Sequence, residues 1–541
     1  MDGSRRTTAG SIAAHVGAAC GLGLLVWLLF GRTAFVNYDS AWSLDWMRGL
    51  VADGTRPDLE RLFSPTPHPL SDLLSAVLTP LSGAGPAGGR GVPAETALIV
   101  LACFWLGALG VVAFRLGQAW FGTAAGVVAT VLVLTREPVL SYGLRTYLDL
   151  PYAVFLLLAL LAETRRPRGG ARTLAWITLA GLLRPEAWLL AAAYVGYLAV
   201  WQVRAGGAVP AGHPRGRAWL ARLDVRGLAL LVGLALLAPL GWIVEGLVLT
   251  GDPLQALTGT QENAADLDRV TGVGSAVTVM PRRLGEIVRE PVLLAAAGGV
   301  VLALALLRRR AVLGVAAGVA AGVAFFVLAA AGLPLLTRYL VFPATLLVVF
   351  AAAGLLGWRR LSDDHRWRRP WQAFAVVCLL AFVVFAPGQA RRLDRLQAAL
   401  ALQQRVIGDL RATTRDVVVP TFAAGDACAA RGTALDIALP NHRAVPQTLL
   451  WLGTDPLGPR GDGDAGRPPA VGPMTAGQAA RVVLLPSSDR VARGFILDKA
   501  DGRSGLPRPP AGVVRAGTRG TWTVYGRDAA CASALRARLG R

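Results

Sequence analysis

Eleven apolar runs separated by short arginine clusters constrain this chain more than any other feature. They fall at 11–30, 96–115, 122–140, 150–163, 173–183, 186–203, 227–249, 291–307, 311–331, 340–357 and 371–387. A helix needs about 20 mainly apolar residues to cross a bilayer core, and these runs reach or approach that length. With 54% hydrophobic residues, 16% charged residues and a mean hydropathy of +0.49, a water-soluble domain would lack the polar surface to cover its core. The expected fold class is therefore an α-helical polytopic membrane protein with about 11–13 transmembrane helices.

The net charge is +21, and Lys499 is the only lysine, so the basicity is almost wholly arginine. Such a charge in a soluble chain would suggest nucleic acid. Here the arginines cluster between apolar runs, at 1–10, 164–173, 204–226, 308–310 and 358–370. That is the pattern of topology signals, so no nucleic-acid partner is expected and these connections are assigned to the cytoplasm. The opposite connections, 31–95, 141–149, 184–186, 250–290 and 332–339, then face outward. The run 70–83 would invert every later cluster if it crossed, so it reads as a re-entrant or interfacial helix. The N-terminal run behind Arg5 and Arg6 reads as a retained signal anchor.

From residue 388 the apolar runs shorten to strand length and Gly, Pro and Asp punctuate them. The division is a transmembrane domain at 1–387 and a small extracytoplasmic α/β domain at 388–541. Strands are expected at 416–420, 434–439, 480–486 and 521–525, an amphipathic helix at 393–413, and a loop at 453–473. Cys20, Cys103 and Cys378 lie in apolar runs and no CxxC pair occurs, which argues against zinc or redox motifs. Cys428 and Cys531 would share an oxidising compartment, either as a disulfide or as two free thiols.

Carboxylates beside a membrane surface are costly unless paired or used. Asp39 follows the first span and opens a stretch with Trp42, Trp46, Met47 and Leu50 at helical spacing, which predicts an interfacial helix. Asp39 or Ser40 could instead be no more than its N-cap. Trp42 and Trp46 are the aromatic residues chosen for sugar stacking. Glu262, Asp266 and Asp268 could hold a divalent cation, although a solvated face is the simpler explanation.

Asp39, Gly54, the Pro67-His68-Pro69-Leu70 entry to a hydrophobic helix, Arg145-Thr-Tyr-Leu-Asp-Leu-Pro151 and Leu182-Leu-Arg-Pro-Glu-Ala-Trp188 occur in an order that resembles GT-C membrane glycosyltransferases. The branch they look most like contains the protein mannosyltransferases and aminoarabinose transferases. Thr250-Gly-Asp-Pro253, Thr337-Arg-Tyr-Leu340 and the terminal Trp522-Thr-Val-Tyr-Gly-Arg527 add weaker matches. Many members carry a second acid directly after the first; here that position is Ser40, with Asp45 as a spatial substitute.

The resemblance implies a GT-C-like fold and an inverting transfer of a sugar from a polyprenyl-phosphate lipid to a cell-envelope acceptor, on the outer face of a bacterial plasma membrane. Asp39 would be the base, with Asp149 acting in catalysis or acceptor orientation, its plainer reading being a helix N-cap. His68, Arg145, Tyr147, Arg184, Glu186, Arg338 and Tyr339 would bind the donor phosphate or substrate. Each arginine has a plainer explanation, snorkelling or pairing with a nearby acid such as Glu186 or Asp149. The rival functions are a lipid or glycan flippase, which requires charges along a path through the spans, and a GT-C-like scaffold without catalysis.

Overall fold

The computed structural model describes residues 2–52, 54–57, 59, 64–82, 92–205, 224–424, 426–428, 435–452, 470–474, 479–493 and 507–540. The first part of the chain is helical throughout. It runs through α1 (Asp2–Leu29), α2 (Tyr38–Ala52), α3 (Pro69–Val77), α4 (Val92–Phe121), α5 (Thr123–Leu134), α6 (Glu137–Leu144), α7 (Asp149–Arg165) and α8 (Ala171–Gly181). It continues through α9 (Glu186–Ala205), α10 (Val225–Leu249), α11 (Gln255–Asp266), α12 (Val273–Val288), α13 (Glu290–Leu306), α14 (Arg308–Ala330), α15 (Val341–Leu356) and α16 (Arg368–Thr413).

Every expected apolar run is helical, and the chain is a membrane protein. Among the described residues six helices are long and apolar enough to cross unaided, or up to eight if each bent pair forms one span. α8, with 11 residues, reaches only about 16 Å, roughly half a bilayer core. The expected run 122–140 is broken into α5 and α6, bent by 67°. The cause is local. Pro138 cannot donate a helical hydrogen bond, and buried Arg136 turns inward to donate to the carbonyls of Leu132 (3.0 Å) and Val288 (3.2 Å). α3 has nine residues, too few to cross, which fits the non-crossing reading of 70–83.

The bundle core is dense where glycine lets backbones touch. A Cβ at Gly107 would overlap the Ala19 carbonyl, and one at Gly299 the Phe350 carbonyl, so α1 packs on α4 and α13 on α15 at closest approach.

α16 passes without interruption through position 388, carrying Pro387 within it, so the expected amphipathic helix 393–413 is the continuation of a spanning helix. Beyond it come α17 (Val419–Ala423), β1 (Leu435–Leu439), α18 (Val445–Leu452), β2 (Val471–Pro473), β3 (Ala480–Pro486), α19 (Asp489–Val491), β4 (Val514–Arg519), β5 (Trp522–Gly526) and α20 (Ala529–Leu539). The sheet order is β2-β1-β3-β5-β4, with β1 parallel to β2 and β3, and β5 antiparallel to β3 and β4.

Three sequence expectations differ here. The stretch 416–420 is helical, because it continues from α16 and buries Val417 and Val418 against the core. The strand β4 was not anticipated: its residues alternate weakly and mostly face solvent. Most of 453–473 lies outside the described residues, but its end forms β2. Arg215, Arg217 and Arg222 also lie outside them.

Cys428 and Cys531 form a disulfide that ties the segment before β1 to α20. The sheet domain docks onto the bundle through polar contacts. Arg411 pairs with Glu95, whose other oxygen accepts from Trp451 Nε1 (3.1 Å), and Arg48 donates to the Leu450 carbonyl (3.2 Å).

Candidate functional site

A cavity of about 740 Å³ opens at the end of the bundle that carries the sheet domain. Asp39, His68, Arg145, Tyr147, Arg184, Glu186, Arg338 and Tyr339 all line it. These residues come from α2, the entry to α3, the α6–α7 link, the α8–α9 turn and the turn before α15, so only the tertiary fold brings them together.

The local reason Asp39 is available lies one turn upstream. Asn37 Oδ1 accepts the Ser40 amide at 2.7 Å, so Asn37 provides the cap of α2. The alternative readings of Asp39 or Ser40 as the cap are thereby corrected. Asp39 turns into the cavity and pairs with Arg338 (Oδ2–Nη1, 2.7 Å). Burial pushes the Asp39 carboxyl upward, but the Arg338 guanidinium, joined by Arg269 and His68, outweighs it and holds the group ionised below the usual carboxylate range.

Ser40 is no second acid, and its hydroxyl has a different task. It donates to the Thr146 carbonyl (2.9 Å), while Thr146 Oγ1 accepts from the Asn37 amide (3.2 Å). Thr146 has φ of 54°, a strained conformation for a β-branched residue, and these two bonds stabilise it. The strained residue separates Arg145 from Tyr147 and presents both to the cavity. Asp45 does not replace the missing acid: it pairs with Arg48 (2.7 Å), away from the cavity lining.

Arg184 pairs with Asp149 (2.5 Å) and Glu186 (3.4 Å) and stacks 4.3 Å over the Tyr339 ring. Asp149 is 1% exposed and sits behind Arg184, outside the lining. Its expected direct part in catalysis is therefore corrected to orienting Arg184. Arg145 differs from Arg184 and Arg338. It has no ion pair among the described residues; its guanidinium lies over the rings of Tyr147 (5.2 Å) and Phe35 (5.9 Å), and its Nε is buried without a partner.

His68 meets Trp242 edge-on at 5.3 Å. Burial and the neighbouring Arg184 lower its pKa to about 3, so it faces the cavity as a neutral hydrogen-bonding group at ordinary pH. Trp42 and Trp46 stack on each other (5.5 Å) inside the core, and the aromatic walls are instead Trp188 and Trp242. Also unforeseen are Asn263 and Arg269 from the α11–α12 region and His442, Arg443 and Gln447 from the sheet domain. No local pattern marks them, since Asn263 and Arg269 reach the site through the packing of α11 and α12 in the bundle and the other three through domain docking. Among the described residues no three His, Cys, Asp or Glu converge as metal ligands, so Glu262, Asp266 and Asp268 do not form the divalent-cation cluster considered for them.

Chemically, the site combines the ionised Asp39 carboxylate, the Arg145 guanidinium without an ion pair among the described residues, the paired guanidinium groups of Arg184 and Arg338, and aromatic walls, with Glu186, Arg269 and Arg443 also in the lining. It can place a base next to a bound anion. No family model and no curated protein matches the chain. Among solved structures it is similar to ArnT from Cupriavidus metallidurans bound to undecaprenyl phosphate, at 15% identity over 96% of this chain and 99% of that one, with a TM-score of 0.47. The apo state of the same protein gives 16% identity, 97% and 99% coverage and a TM-score of 0.47. The oligosaccharyltransferase AglB from Archaeoglobus fulgidus, in complex with an inhibitory peptide and a dolichol-phosphate, gives 12% identity over 96% of this chain and 74% of that one, with a TM-score of 0.43.

Proposed function

We propose that the chain is a GT-C-type inverting glycosyltransferase that moves a sugar from a polyprenyl-phosphate donor to an envelope acceptor on the outer face of the bacterial plasma membrane. One observation carries the reading: the Asp39 carboxylate and the unpaired Arg145 guanidinium line the same cavity at one end of an apolar bundle. A lipid-linked phosphate needs cationic stabilisation as it leaves and an apolar setting for its tail, while the acceptor needs a base. The order of the Asp39, Pro67-His68-Pro69, Asp149 and Arg184-Pro185-Glu186 features supports the same family.

In this mechanism Arg145 receives the phosphate first, because it gives up no existing ion pair. The incoming phosphate also competes with Asp39 for Arg338. Asp39 thereby loses part of its counter-charge beside a new anion, and its basicity rises when donor is bound. Asp39 then takes the proton of the acceptor hydroxyl or amine as that atom attacks the anomeric carbon. The sugar–phosphate bond breaks, the configuration inverts, and the phosphate departs with its charge held by Arg145 and Arg338. Arg184, fixed by Asp149 and Glu186 and stacked on Tyr339, completes the cationic wall. Tyr147 and neutral His68 offer hydrogen bonds.

The test is transfer of labelled sugar from polyprenyl-phosphate donors by the purified full chain. Asp39→Asn is expected to lower the rate by about 10²–10⁴ with the melting temperature nearly kept. Undiminished transfer by that variant removes Asp39 as base. Movement of lipid without covalent product favours the flippase instead.

A further inference from the structure

Every buried carboxylate so far described has an arginine: Asp39 has Arg338, Asp149 and Glu186 share Arg184, and Glu95 has Arg411. Asp72 and Glu245 have each other. Asp72, in the first turn of α3, is 3% exposed and hydrogen-bonds to Glu245 of α10. An ionised carboxylate has no proton to donate, so a bond between two carboxyl groups requires one proton in the pair.

The surroundings decide against neutralisation by a cation. From α2, Ser43 donates to Asp72 and its oxygen also lies 2.7 Å from that of Ser75. At the entry to α3, the His68 amide donates to Asp72 Oδ2 at 3.2 Å. Asp72 is the one group that α3 turns toward Glu245, and α10 turns Glu245 alone toward Asp72; no charged side chain from α2, α8, α9 or α11 acts on either carboxyl among the described residues. Burial accordingly raises the Asp72 carboxyl, in the direction opposite to Asp39.

The pair also has a position that bears on the site. Trp242 and Glu245 lie on one face of α10, three residues apart in the helix. Trp242 meets the His68 ring while Glu245 meets Asp72, which in turn holds the His68 backbone. Thus α10 grips both the side chain and the main chain of the His68 wall through two consecutive contacts.

We propose that Asp72 and Glu245 are positioning residues that hold one proton between them, and that this acid–carboxylate pair fixes α3 and His68 against α10 at the cavity. Losing the proton places two negative charges side by side, one buried on Asp72 and one half-buried on Glu245, and drives α3 from α10. Burial raises the Asp72 carboxyl, so the folded chain keeps a proton that an unfolded carboxyl gives up near pH ~4, and this contribution to stability falls as pH rises above that range. Its effect on turnover rests on the glycosyl-transfer reading; the shared proton itself does not.

The experiment has two readouts on the purified full chain. In infrared difference spectra, wild type is expected to show a neutral carboxylic acid carbonyl band that Asp72→Asn and Glu245→Gln each abolish, with no further loss in the double variant. Retention of every such band in both variants overturns the shared proton. In donor-transfer assays, Glu245→Ala is expected to lose on the order of tenfold or more in kcat. Glu245→Gln, which keeps a hydrogen-bond donor toward Asp72, is expected to restore the rate and extend it to higher pH. Equal losses in Glu245→Ala and Glu245→Gln, with unchanged pH profiles, overturn the positioning role. If wild type transfers no sugar from any donor, the glycosyl-transfer reading fails while the infrared result still decides the proton.

Discussion

At the scale of single residues, the site separates its charged groups by how they are already satisfied. Arg338 and Arg184 are paired in the resting site, whereas Arg145 is held only by aromatic faces. Arg145→Ala is therefore expected to raise KM for the lipid donor with a smaller change in kcat, measured by varying polyprenyl-phosphate sugar at fixed acceptor. Arg338→Gln should act differently, because it releases Asp39 as well. The Asp39 carboxyl is held below the ordinary value of about 4, so its ion-pair stabilisation is present above that range and is lost as pH falls through the lower folded value. In Arg338→Gln the burial effect is opposed only by the smaller contributions of Arg269 and His68, and the acid limb of kcat/KM is expected to move to higher pH. An unmoved limb would show that Arg338 does not set the ionisation of Asp39.

Among elements, α2 and the broken helices do most to place the site. The Asn37 cap frees Asp39, and the Ser40–Thr146 bond links α2 to the strained residue between Arg145 and Tyr147. Thr146→Gly would relieve the positive φ but also remove the hydroxyl that accepts from Asn37, so its net effect on stability is small. The glycine contacts between spanning helices leave no such latitude. At Gly299 any side chain meets the Phe350 backbone, so α13 and α15 must separate. Gly299→Leu is expected to destabilise the fold by about 1–3 kcal/mol or more from overpacking, read as a marked drop in the midpoint of thermal unfolding. Gly196, whose Cβ meets open space, is the comparison: Gly196→Ala should leave the midpoint nearly unchanged or raise it.

Across the whole molecule, the cavity is shared between the bundle and the sheet domain. His442, Arg443 and Gln447 line it, and the domain is held by Arg411–Glu95, Trp451 and the hairpin turn at Gly520, where Asp409 accepts the Thr521 amide (2.9 Å). The Cys428–Cys531 bond closes a sequence separation of 103 residues around the sheet. A loop of that size corresponds to about 4–5 kcal/mol in the chain-entropy account. Cys531→Ser is expected to lower the stability of the sheet domain and, by loosening one cavity wall, to weaken acceptor use more than donor binding. Limited proteolysis with separate donor and acceptor KM values checks both parts.

Much of this was legible in the sequence because it depends on local pattern. Apolar run length identifies the helices, and short apolar runs bounded by Gly, Pro and Asp identify β1, β3 and β5. The ordered motifs pick out Asp39, His68, Arg145, Tyr147, Arg184, Glu186, Arg338 and Tyr339, all of which line one cavity. Only the tertiary structure decided which carboxylate meets which arginine, that Asp149 lies behind Arg184, that His68 stays neutral, and that Asp72 and Glu245 meet without a cation. Those outcomes depend on distance and burial between segments far apart in the chain. Charge and hydropathy along a sequence state what each residue carries, whereas pairing and ionisation are set by the neighbours that folding supplies.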